Sequence, residues 1–545
     1  MTRPATSVLL GLLALACVPA TGGAETSASS ESESEGEVGD SDCVIASLGC
    51  ACTQGGGCEA GLTCDAGVCV DLGEDESGDE GEEDTGACET LGCACDGSEG
   101  SCAAGLKCQG GVCVTNSCGN GALDANEVCD DGNGAEGDGC DNDCTRTEIL
   151  DIVAGSSHTC ALIERGRVRC WGYGVTGQLG YGATESVGDN ESPADVGDLP
   201  LPPVVAISAG GLHTCAVIED GGVRCWGFNG TGQLGYGNTE TLGDDEGLAE
   251  LGEVSLGGLT SGLALGAAHS CARIEGEARC WGLNGSGQLG LGNTAPVGDN
   301  EQPSSVAPIF LGGEVASLSA GGNSTCALLV GGAVRCWGEN GSGQLGYGGT
   351  KDIGDDETPG NVVALSLIPA GQPEGTTVSR LSMALEYSCA LLSSGAVLCW
   401  GNNDEAQLGQ GNQDSWGDGP DELPSALEPI DLGTAAVGLA TGYEHSCALL
   451  DSGALRCWGN NDTGQLGLGH EELIGDDEVP GDVGPVSLGR GVIDVTVGGA
   501  HTCVVLDNHR VMCWGSNQFG QLGYGFSHNV GDNELPTAAG TVDLL

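Results

Sequence analysis

The stretch HTCALIERGRVRCW, residues 158–171, indicates how this chain folds. Two short runs of strand-forming residues flank Glu164-Arg165-Gly166, a sequence typical of a hairpin turn. A turn centred on Arg165 sets Cys160 opposite Cys170, and directly opposed Cα atoms can lie about 4.5–5.5 Å apart. Because disulfides accept Cα separations of about 4.4–6.8 Å, we predict a cross-strand disulfide in this hairpin.

The same unit recurs through residues 149–545. A Cys-Trp-Gly anchor occurs seven times, and each anchor has a second cysteine upstream. In the third unit the two cysteines are one residue closer, so this hairpin needs a bulge or a tighter turn. The predicted pairs are Cys160–Cys170, Cys215–Cys225, Cys271–Cys280, Cys326–Cys336, Cys389–Cys399, Cys447–Cys457 and Cys503–Cys513.

Turn-forming sequence follows each tryptophan. Residues 226–237 read WGFNGTGQLGYG, in which glycine permits positive φ and asparagine tolerates it. A Gly-Asp-(Asp/Asn)-Glu loop comes next, and a short apolar stretch then leads into Ala-Gly-x-x-His. With 102 glycines in 545 residues, the composition argues against a helical protein.

The repeated pattern H-(S/T)-x-A-L…G-x-V-x-x-W-G-x-N-x-x-G-Q-L-G-x-G resembles the repeat of the regulator of chromosome condensation family. The resemblance covers residues 149–545 in seven copies, and it implies a propeller whose sequence repeats are offset from its blades. Periodicity alone indicates only a closed or stacked β-repeat. Together the two predict an all-β fold: a seven-bladed β-propeller with small disulfide-rich N-terminal modules.

The N-terminus predicts export. Arg3 precedes the apolar run Val8–Ala16, which is typical of a signal peptide and too short to span a bilayer. Cys17 follows Ala14-Leu15-Ala16, which resembles the lipobox of bacterial lipoproteins, although that family prefers leucine where Ala14 stands. The alternative is an ordinary A-x-A cleavage site. We expect an outer-membrane or cell-surface lipoprotein, or otherwise a secreted or periplasmic protein.

Further segments separate the N-terminus from the repeats. Two six-cysteine modules have too few residues for a core, so we expect disulfides to stabilise them. Every cysteine but Cys17 falls in an even-numbered set. The predicted segments are 1–16 signal peptide, 17–42 acidic Ser/Glu/Gly-rich tether, 43–70 six-cysteine module, 71–87 acidic linker, 88–114 six-cysteine module, 115–147 four-cysteine module and 148–545 propeller.

The four-cysteine module resembles a cysteine-rich repeat of myxobacterial secreted proteins, through C-G-N-G, C-D-D-G-N and G-D-G-C. Its carboxylates are oxygen ligands of the kind Ca²⁺ takes, although their spacing is not that of an EF-hand. The alternative is a set of solvated acidic turns. We favour the solvated turns and expect no cofactor, with calcium as the alternative. Its candidate ligands are Asp130, Asp131, Asp138, Asp141 and Asp143.

The formal net charge of −64 restricts the partners. Such a chain repels nucleic acid and anionic membrane surfaces, so we expect no nucleic-acid partner and membrane contact only through a lipid anchor. The Gly-Asp loops could gather into an acidic ring that binds cations or a basic partner, or could simply solvate the turns. Their acidic residues are Asp189, Asp244, Asp299, Asp355, Asp476 and Asp532.

Catalysis finds little support. The sequence contains no G-x-S-x-G elbow, H-E-x-x-H motif or Walker loop. A histidine recurs at the same place in five units, and a residue repeated around a ring points to packing, since catalysis needs one site. We therefore predict a non-enzyme. The recurring histidines are His158, His213, His269, His445 and His501.

Several functions stay open at this stage. We favour a monomeric binding or scaffold module with a protein partner or surface ligand. One alternative is an inhibitor of a secreted enzyme, because some bacterial propellers of this repeat type resemble inhibitors of β-lactamase. Another alternative is a propeller lyase or hydrolase. Nucleotide exchange on a small GTPase, which the family resemblance implies, conflicts with export and acidity.

The fifth unit departs most from the repeat, so a binding site is most expected there, although degeneration of the repeat would give the same signal. Its candidate binding residues are Tyr387, Leu398, Glu405 and Trp416. A further expectation concerns ring closure: residues 541–545 should pair within the sheet of the first repeat, near residues 149–155, because an open sheet edge exposes unpaired backbone groups.

Overall fold

The computed structural model describes residues 129–130, 139–141 and 144–545, together with the backbone of four short N-terminal strands. These strands form two separate antiparallel hairpins, β1 (Thr63–Asp65) with β2 (Val68–Val70) and β3 (Leu106–Gln109) with β4 (Val112–Thr115). The hairpins lie in the two predicted six-cysteine modules. Cys17 and most of those modules lie outside the described residues.

The repeats form seven three-stranded antiparallel sheets in chain order, which confirms the predicted seven-bladed propeller. Each blade takes three consecutive strands of one unit. The strands are, blade by blade, β5 Ile149–Ala154, β6 His158–Ile163 and β7 Arg167–Gly172; β8 Val204–Ala209, β9 His213–Ile218 and β10 Val223–Gly227; β11 Thr260–Leu265, β12 His269–Ile274 and β13 Glu277–Gly282; β14 Val315–Gly321, β15 Ser324–Leu329 and β16 Val334–Gly338; β17 Val378–Met383, β18 Tyr387–Leu392 and β19 Val397–Gly401; β20 Ala436–Thr441, β21 His445–Leu450 and β22 Leu455–Gly459; β23 Val492–Val497, β24 His501–Leu506 and β25 Val511–Gly515.

In the part of the chain that the structure describes, helical structure is confined to single turns in the loops. Within the described residues, no helix has both the length and the apolar character that crossing a membrane requires. The short helices are α1 Pro193–Val196 and the 3₁₀ turns Glu164–Gly166, Leu248–Glu250, Pro303–Ser305, Pro359–Asn361, Pro424–Ala426 and Pro536–Ala538.

A disulfide joins the second and third strands of every blade, which confirms the seven predicted pairs. The paired cysteines occupy directly opposed positions, with Cα atoms 4.0–4.1 Å apart. The shorter third unit adopts the tighter turn: Glu275 and Gly276, with φ of 51° and 85°, form a two-residue hairpin between Ile274 and Glu277. Positive φ at both turn residues is what a type I′ hairpin requires.

Buried tryptophans join neighbouring blades. Each indole Nε1 donates to the main-chain carbonyl of the glutamine in the Gln-Leu-Gly run of the preceding blade, at 2.8–3.0 Å. All seven tryptophans are fully buried. The same bond occurs at all seven junctions, including Trp171 to Gln521 between the first blade and the last. The repeated turn sequence is therefore the acceptor of an interblade bond as well as a turn.

The recurring histidines form a second set of interblade bonds. Each Nε2 lies 2.8–3.0 Å from the hydroxyl of a threonine or serine in the next blade. Burial lowers the pKa of these histidines to about 3–4, so they are neutral at physiological pH. In the fifth blade Tyr387 takes this place, with its hydroxyl 2.9 Å from the Ser446 hydroxyl. These side chains hold the ring together.

The first strands of neighbouring blades pack on one another around the centre of the ring, so they line a central channel. Each first strand has a β-bulge at its second residue, so that this residue has no directly opposed partner in the second strand. Side chains of the preceding blade satisfy part of the free inner edge: Ala154 N donates to Thr496 Oγ1 at 3.1 Å, and Met383 N donates to Ser319 Oγ at 3.2 Å.

The prediction for residues 541–545 was wrong in its location. Val542 N donates to Val511 O of β25 in the seventh blade, and Asp543 O accepts from Ala194 N, which follows the first blade. The segment forms no strand and does not pair near residues 149–155. The reason is that a segment of this kind follows the third strand of each blade and bonds to that strand. In the first repeat Leu199 N makes the bond equivalent to that of Val542, to Val168 O.

Candidate functional site

The propeller has two different ends. At one end lie the turns between the second and third strands, such as Glu164–Gly166, together with the start of each first strand. We call this end the hairpin face. At the other end lie the turns between the first and second strands, such as the one at Gly155. The Gly-Asp loops begin at this second end, because Gly172 there forms a backbone bridge with Val187.

Exposed apolar side chains mark the hairpin face. The second residue of the first strand is a large aliphatic in four consecutive blades, the sixth, seventh, first and second, and each side chain is 41–53 % exposed. The other three blades have Ser261, Ala316 and Ser379 at this position. The aliphatic residues therefore form an arc around part of the channel mouth, which we call the apolar crescent: Leu150, Val205, Val437 and Ile493.

Charged residues sit one position further along the same strands. Asp151 and Asp494 come from the adjacent first and seventh blades, and burial raises the pKa of Asp151 to about 7, with Asp494 adding to the rise. The positive charge of Arg380, from the fifth blade, partly opposes the rise in the pKa of both Asp151 and Asp494. Because the fifth blade neighbours neither of these two, its guanidinium acts on them across the channel. The channel therefore contains an unrepeated group of charges.

The opposite end carries the acidic loops. In three of them the carboxylates approach one another closely enough to share a cation: Asp244-Asp245-Glu246, Asp355-Asp356-Glu357 and Asp476-Asp477-Glu478. In each group the middle residue is exposed and the other two are half-buried. In one group Lys351 already pairs with Asp356 at 3.0 Å. They fit the solvated turns that the sequence also allowed, and the calcium-binding or partner-binding alternative stays a prediction.

Two candidates in the fifth repeat cannot contact a partner on the folded protein. Tyr387 and Leu398 are completely buried. Tyr387 takes the place of the histidine that bonds the next blade, and Leu398 takes the place of an arginine that donates to a loop carbonyl in five other blades. Glu405 is half-buried and accepts from Asn460 Nδ2 at 3.0 Å. Trp416 is also half-buried and occupies the bridge position that is valine, leucine or isoleucine in the other six blades. The irregularity is therefore largely a matter of packing.

The calcium candidates fall mostly outside the described residues, where Asp131, Asp138 and Asp143 lie. Asp130 is half-buried, and Asp141 is buried beside the Thr147 hydroxyl, which donates to its Oδ1 at 3.4 Å. The Cys129–Cys140 disulfide closes the part of this module that is described. Calcium binding in this module stays a prediction.

Sequence analysis did not identify the residues that distinguish the channel. The histidine and tryptophan that define the repeat are shared by most copies, whereas a binding site requires positions at which the copies differ. Aligning the seven first strands at their second and third residues would have found the signal. Read together, those pairs are Leu150-Asp151, Val205-Ala206, Ser261-Gly262, Ala316-Ser317, Ser379-Arg380, Val437-Gly438 and Ile493-Asp494.

Two family models described as the regulator of chromosome condensation (RCC1) repeat match this chain. The first matches residues 149–178, 204–233, 315–344, 436–465 and 492–521. The second matches residues 165–217, 275–328, 394–449 and 452–505. Residues 165–217 run from the third strand of one blade to the second strand of the next, which is the offset between repeats and blades that the resemblance implied.

Characterised proteins with similar sequences include the ultraviolet-B receptor UVR8 of Arabidopsis thaliana, 30% identical over 386 residues, which are 70% of this chain and 80% of the receptor. The human E3 ubiquitin-protein ligase HERC2 is 29% identical over 65% of this chain, but the match spans only 7% of HERC2.

Solved structures share the fold. Human WBSCR16 superposes with a TM-score of 0.51 at 20% identity, over 66% of this chain and 86% of that structure. Yeast RCC1 (Prp20), solved bound to Kap60, superposes with a TM-score of 0.50 at 21% identity, over 64% and 78%.

Proposed function

We infer a function from the premise that this chain belongs to the regulator of chromosome condensation repeat family. We propose that the propeller is a protein-binding module without catalytic activity of its own. The family supports a binding or regulatory role, and yeast RCC1 in complex with Kap60 is one case in which a propeller protein of this type associates with another protein. A fold alone does not specify an activity, so the site must supply the rest.

The apolar crescent is the observation that carries this proposal. Exposed apolar patches on soluble proteins mark interaction sites when they are contiguous, whereas single exposed aliphatics are ordinary. Here four aliphatics occupy the same position in four neighbouring blades, each 41–53 % exposed. The framework that the seven copies share does not require them, because three blades have small residues instead. A partner that covers the crescent would account for this choice.

We further propose that the module acts outside the cytoplasm, attached to a membrane through Cys17. The apolar run Val8–Ala16 and the lipobox-like sequence before Cys17 support this location. Seven disulfides in the propeller fit an oxidising compartment. Intact mass spectrometry of protein expressed in a bacterial host tests the anchor: a lipid-modified chain beginning at Cys17 is expected, and an unmodified chain beginning downstream would contradict it.

Affinity capture from the cell-envelope fraction of the source cell tests the binding function. The parent protein is compared with a variant carrying L150S, V205S, V437S and I493S, and with a control carrying V330S and V363S. Val330 and Val363 are 61 % and 83 % exposed and lie outside the crescent. A partner retained by the parent and the control but lost by the crescent variant is expected. Equal capture by all three, or no specific capture, would refute the proposed site.

A further inference from the structure

The apolar crescent and the channel charges adjoin each other. Leu150 precedes Asp151 in β5, and Ile493 precedes Asp494 in β23, and these two strands are neighbours at the junction of the first and last blades. The middle of the crescent therefore lies directly beside two carboxylates. A ligand that covers the crescent from the hairpin face also closes the mouth of the channel above these carboxylates.

The two carboxylates lack a close cation. Asp494 accepts from the backbone N–H of Val495, at 2.9 Å, and the backbone N–H of Ile152, across the blade junction, lowers the pKa of Asp494. Within residues 144–545, no ion pair within 4.0 Å involves Asp151, Asp494 or Arg380. Arg380 offsets their charge only from across the channel. Partial burial of a carboxylate away from an opposite charge is costly, so a cation brought to this place would be stabilised.

We propose that the channel mouth binds a polypeptide segment in which an arginine or lysine is flanked by apolar residues. The basic side chain enters the channel beside Asp151 and Asp494, while its apolar neighbours pack on the crescent. This inference rests on the proposed binding function and adds the chemistry of the partner. The partner's cation would lie on the side of the channel formed by the first and seventh blades, since Arg380 of the fifth blade lies on the opposite side.

The charge of the whole chain favours the same partner. At a formal charge of −64, the protein attracts basic segments over a long range and repels acidic ones. Long-range attraction alone would not select a binding place, since carboxylates are spread over the entire surface. Selection comes from the combination of aliphatic surface with desolvated carboxylates, which in the described residues occurs beside β5 and β23.

Three fluorescein-labelled peptides test this proposal on the full-length protein by fluorescence anisotropy at physiological salt. The sequences are Ala-Leu-Arg-Leu-Ala, Ala-Leu-Glu-Leu-Ala and Ala-Gly-Arg-Gly-Ala. We expect the first to bind at least about tenfold more tightly than either of the others, a difference of about 1.4 kcal/mol. The comparison separates the need for a cation from the need for flanking apolar groups.

Protein variants locate the binding. D151N/D494N should weaken binding of the Leu-Arg-Leu peptide at least about tenfold. A control, D245N/D477N, replaces two exposed carboxylates in loops at the opposite end and should leave binding unchanged. Thermal unfolding of each variant confirms that it folds, and asparagine retains an oxygen that can accept the backbone hydrogen bonds.

The outcomes distinguish this inference from the binding function itself. If the control weakens binding as much as D151N/D494N, the peptide responds only to net charge and the inference is refuted. If the Leu-Glu-Leu peptide binds as well as the Leu-Arg-Leu peptide, the inference is likewise refuted. In either case, a partner that the parent captures and the crescent variant loses would leave the binding function standing.

Discussion

At the scale of single residues, each recurring histidine depends on a glycine three positions before it. A Cβ added to Gly155 would lie 2.2 Å from His158 Cε1 and 2.4 Å from Gly210 O of the next blade. The fifth blade has Ala384 at this position, and there Tyr387 replaces the histidine. The fourth blade has Gly321 before Ser324, where an added Cβ would lie 2.3 Å from Met383 O. The small residue is therefore matched to the backbone of the next blade and, in five blades, to the histidine ring as well.

This match predicts that G155A is destabilising while A384G has a smaller effect. The added methyl group must displace the imidazole or the neighbouring backbone, which costs about 1–3 kcal/mol. Ala384→Gly removes a methyl group and adds backbone freedom, at about 0.5–1 kcal/mol. Urea denaturation of the two variants measures the difference. Equal losses would show that the glycine does not serve the histidine.

The carboxyl of Asp151 makes stability depend on pH. Its pKa is about 7 in the folded protein against an ordinary value of 3.8, so between these values the folded state keeps a proton that the unfolded chain has lost. Its contribution is therefore fully present at low pH and is lost as the pH rises through this window.

D151N should accordingly be more stable than the parent at pH 8, with the difference vanishing near pH 4. Because solvent screens this half-buried carboxyl, we expect about 1–2 kcal/mol, less than the full pKa difference would give. D195N provides the contrast, because hydrogen bonds from Ser192 lower the pKa of Asp195, and this variant should lose stability above pH 4. Denaturant unfolding at pH 4, 6 and 8 measures both. A D151N variant less stable than the parent at pH 8 would contradict the assignment of Asp151 to an unfavourable charge in the channel.

At the scale of elements, the hairpins were predicted well because all their determinants are local. The turn residues, the spacing of the cysteines and the strand-forming runs lie within fourteen residues of one another, as in residues 158–171. Even the tight turn of the third unit follows from one missing residue. Trp416 was less accessible to sequence reasoning, because its role as a bridge residue emerges only when the strand beside Gly401 is known.

The disulfide within each hairpin predicts a defined loss of stability. The C160S/C170S variant opens a loop of eleven residues, which should cost about 2–3 kcal/mol, largely through the unfolded state. We expect the blade to persist because its tryptophan and histidine bonds remain. Peptide mapping without reduction should recover the seven pairs within their repeats, whereas free thiols or links between repeats at most of these positions would refute the pairing.

At the scale of the whole molecule, the ring closes through the same contacts that join the other blades. Trp171 and Thr159 of the first blade bond Gln521 and His501 of the last, at 2.9–3.0 Å. The sequence indicates that the two ends must meet, but the predicted partner of the last residues was wrong. The repeated sequence does not show which residue begins a blade until the strands of one blade are known. Function was harder still, since a binding site lies where the copies differ.

The C-terminal segment adds to this closure, so its removal should weaken the ring. Val542 and Leu544 are buried, and the carbonyls of Asp543 and Leu544 accept from Ala194 N and the Arg169 guanidinium. Deleting residues 542–545 should lower the free energy of unfolding by about 2–5 kcal/mol, the cost of losing buried aliphatic side chains, whereas an ordinary four-residue tail is removed without effect. An unchanged thermal midpoint would show that the seventh blade needs no such segment.

Site-specific photo-crosslinking in the source cell tests binding at the channel mouth most directly. A photoreactive p-benzoylphenylalanine replaces Val205 or Val437 in the apolar crescent, and replaces Val330 or Val363 as controls of comparable or greater exposure. We predict that the two crescent positions yield a covalent adduct with the same protein partner and that the controls do not. Adducts formed only at Val330 or Val363, or equally at all four positions, would contradict a binding site at this mouth.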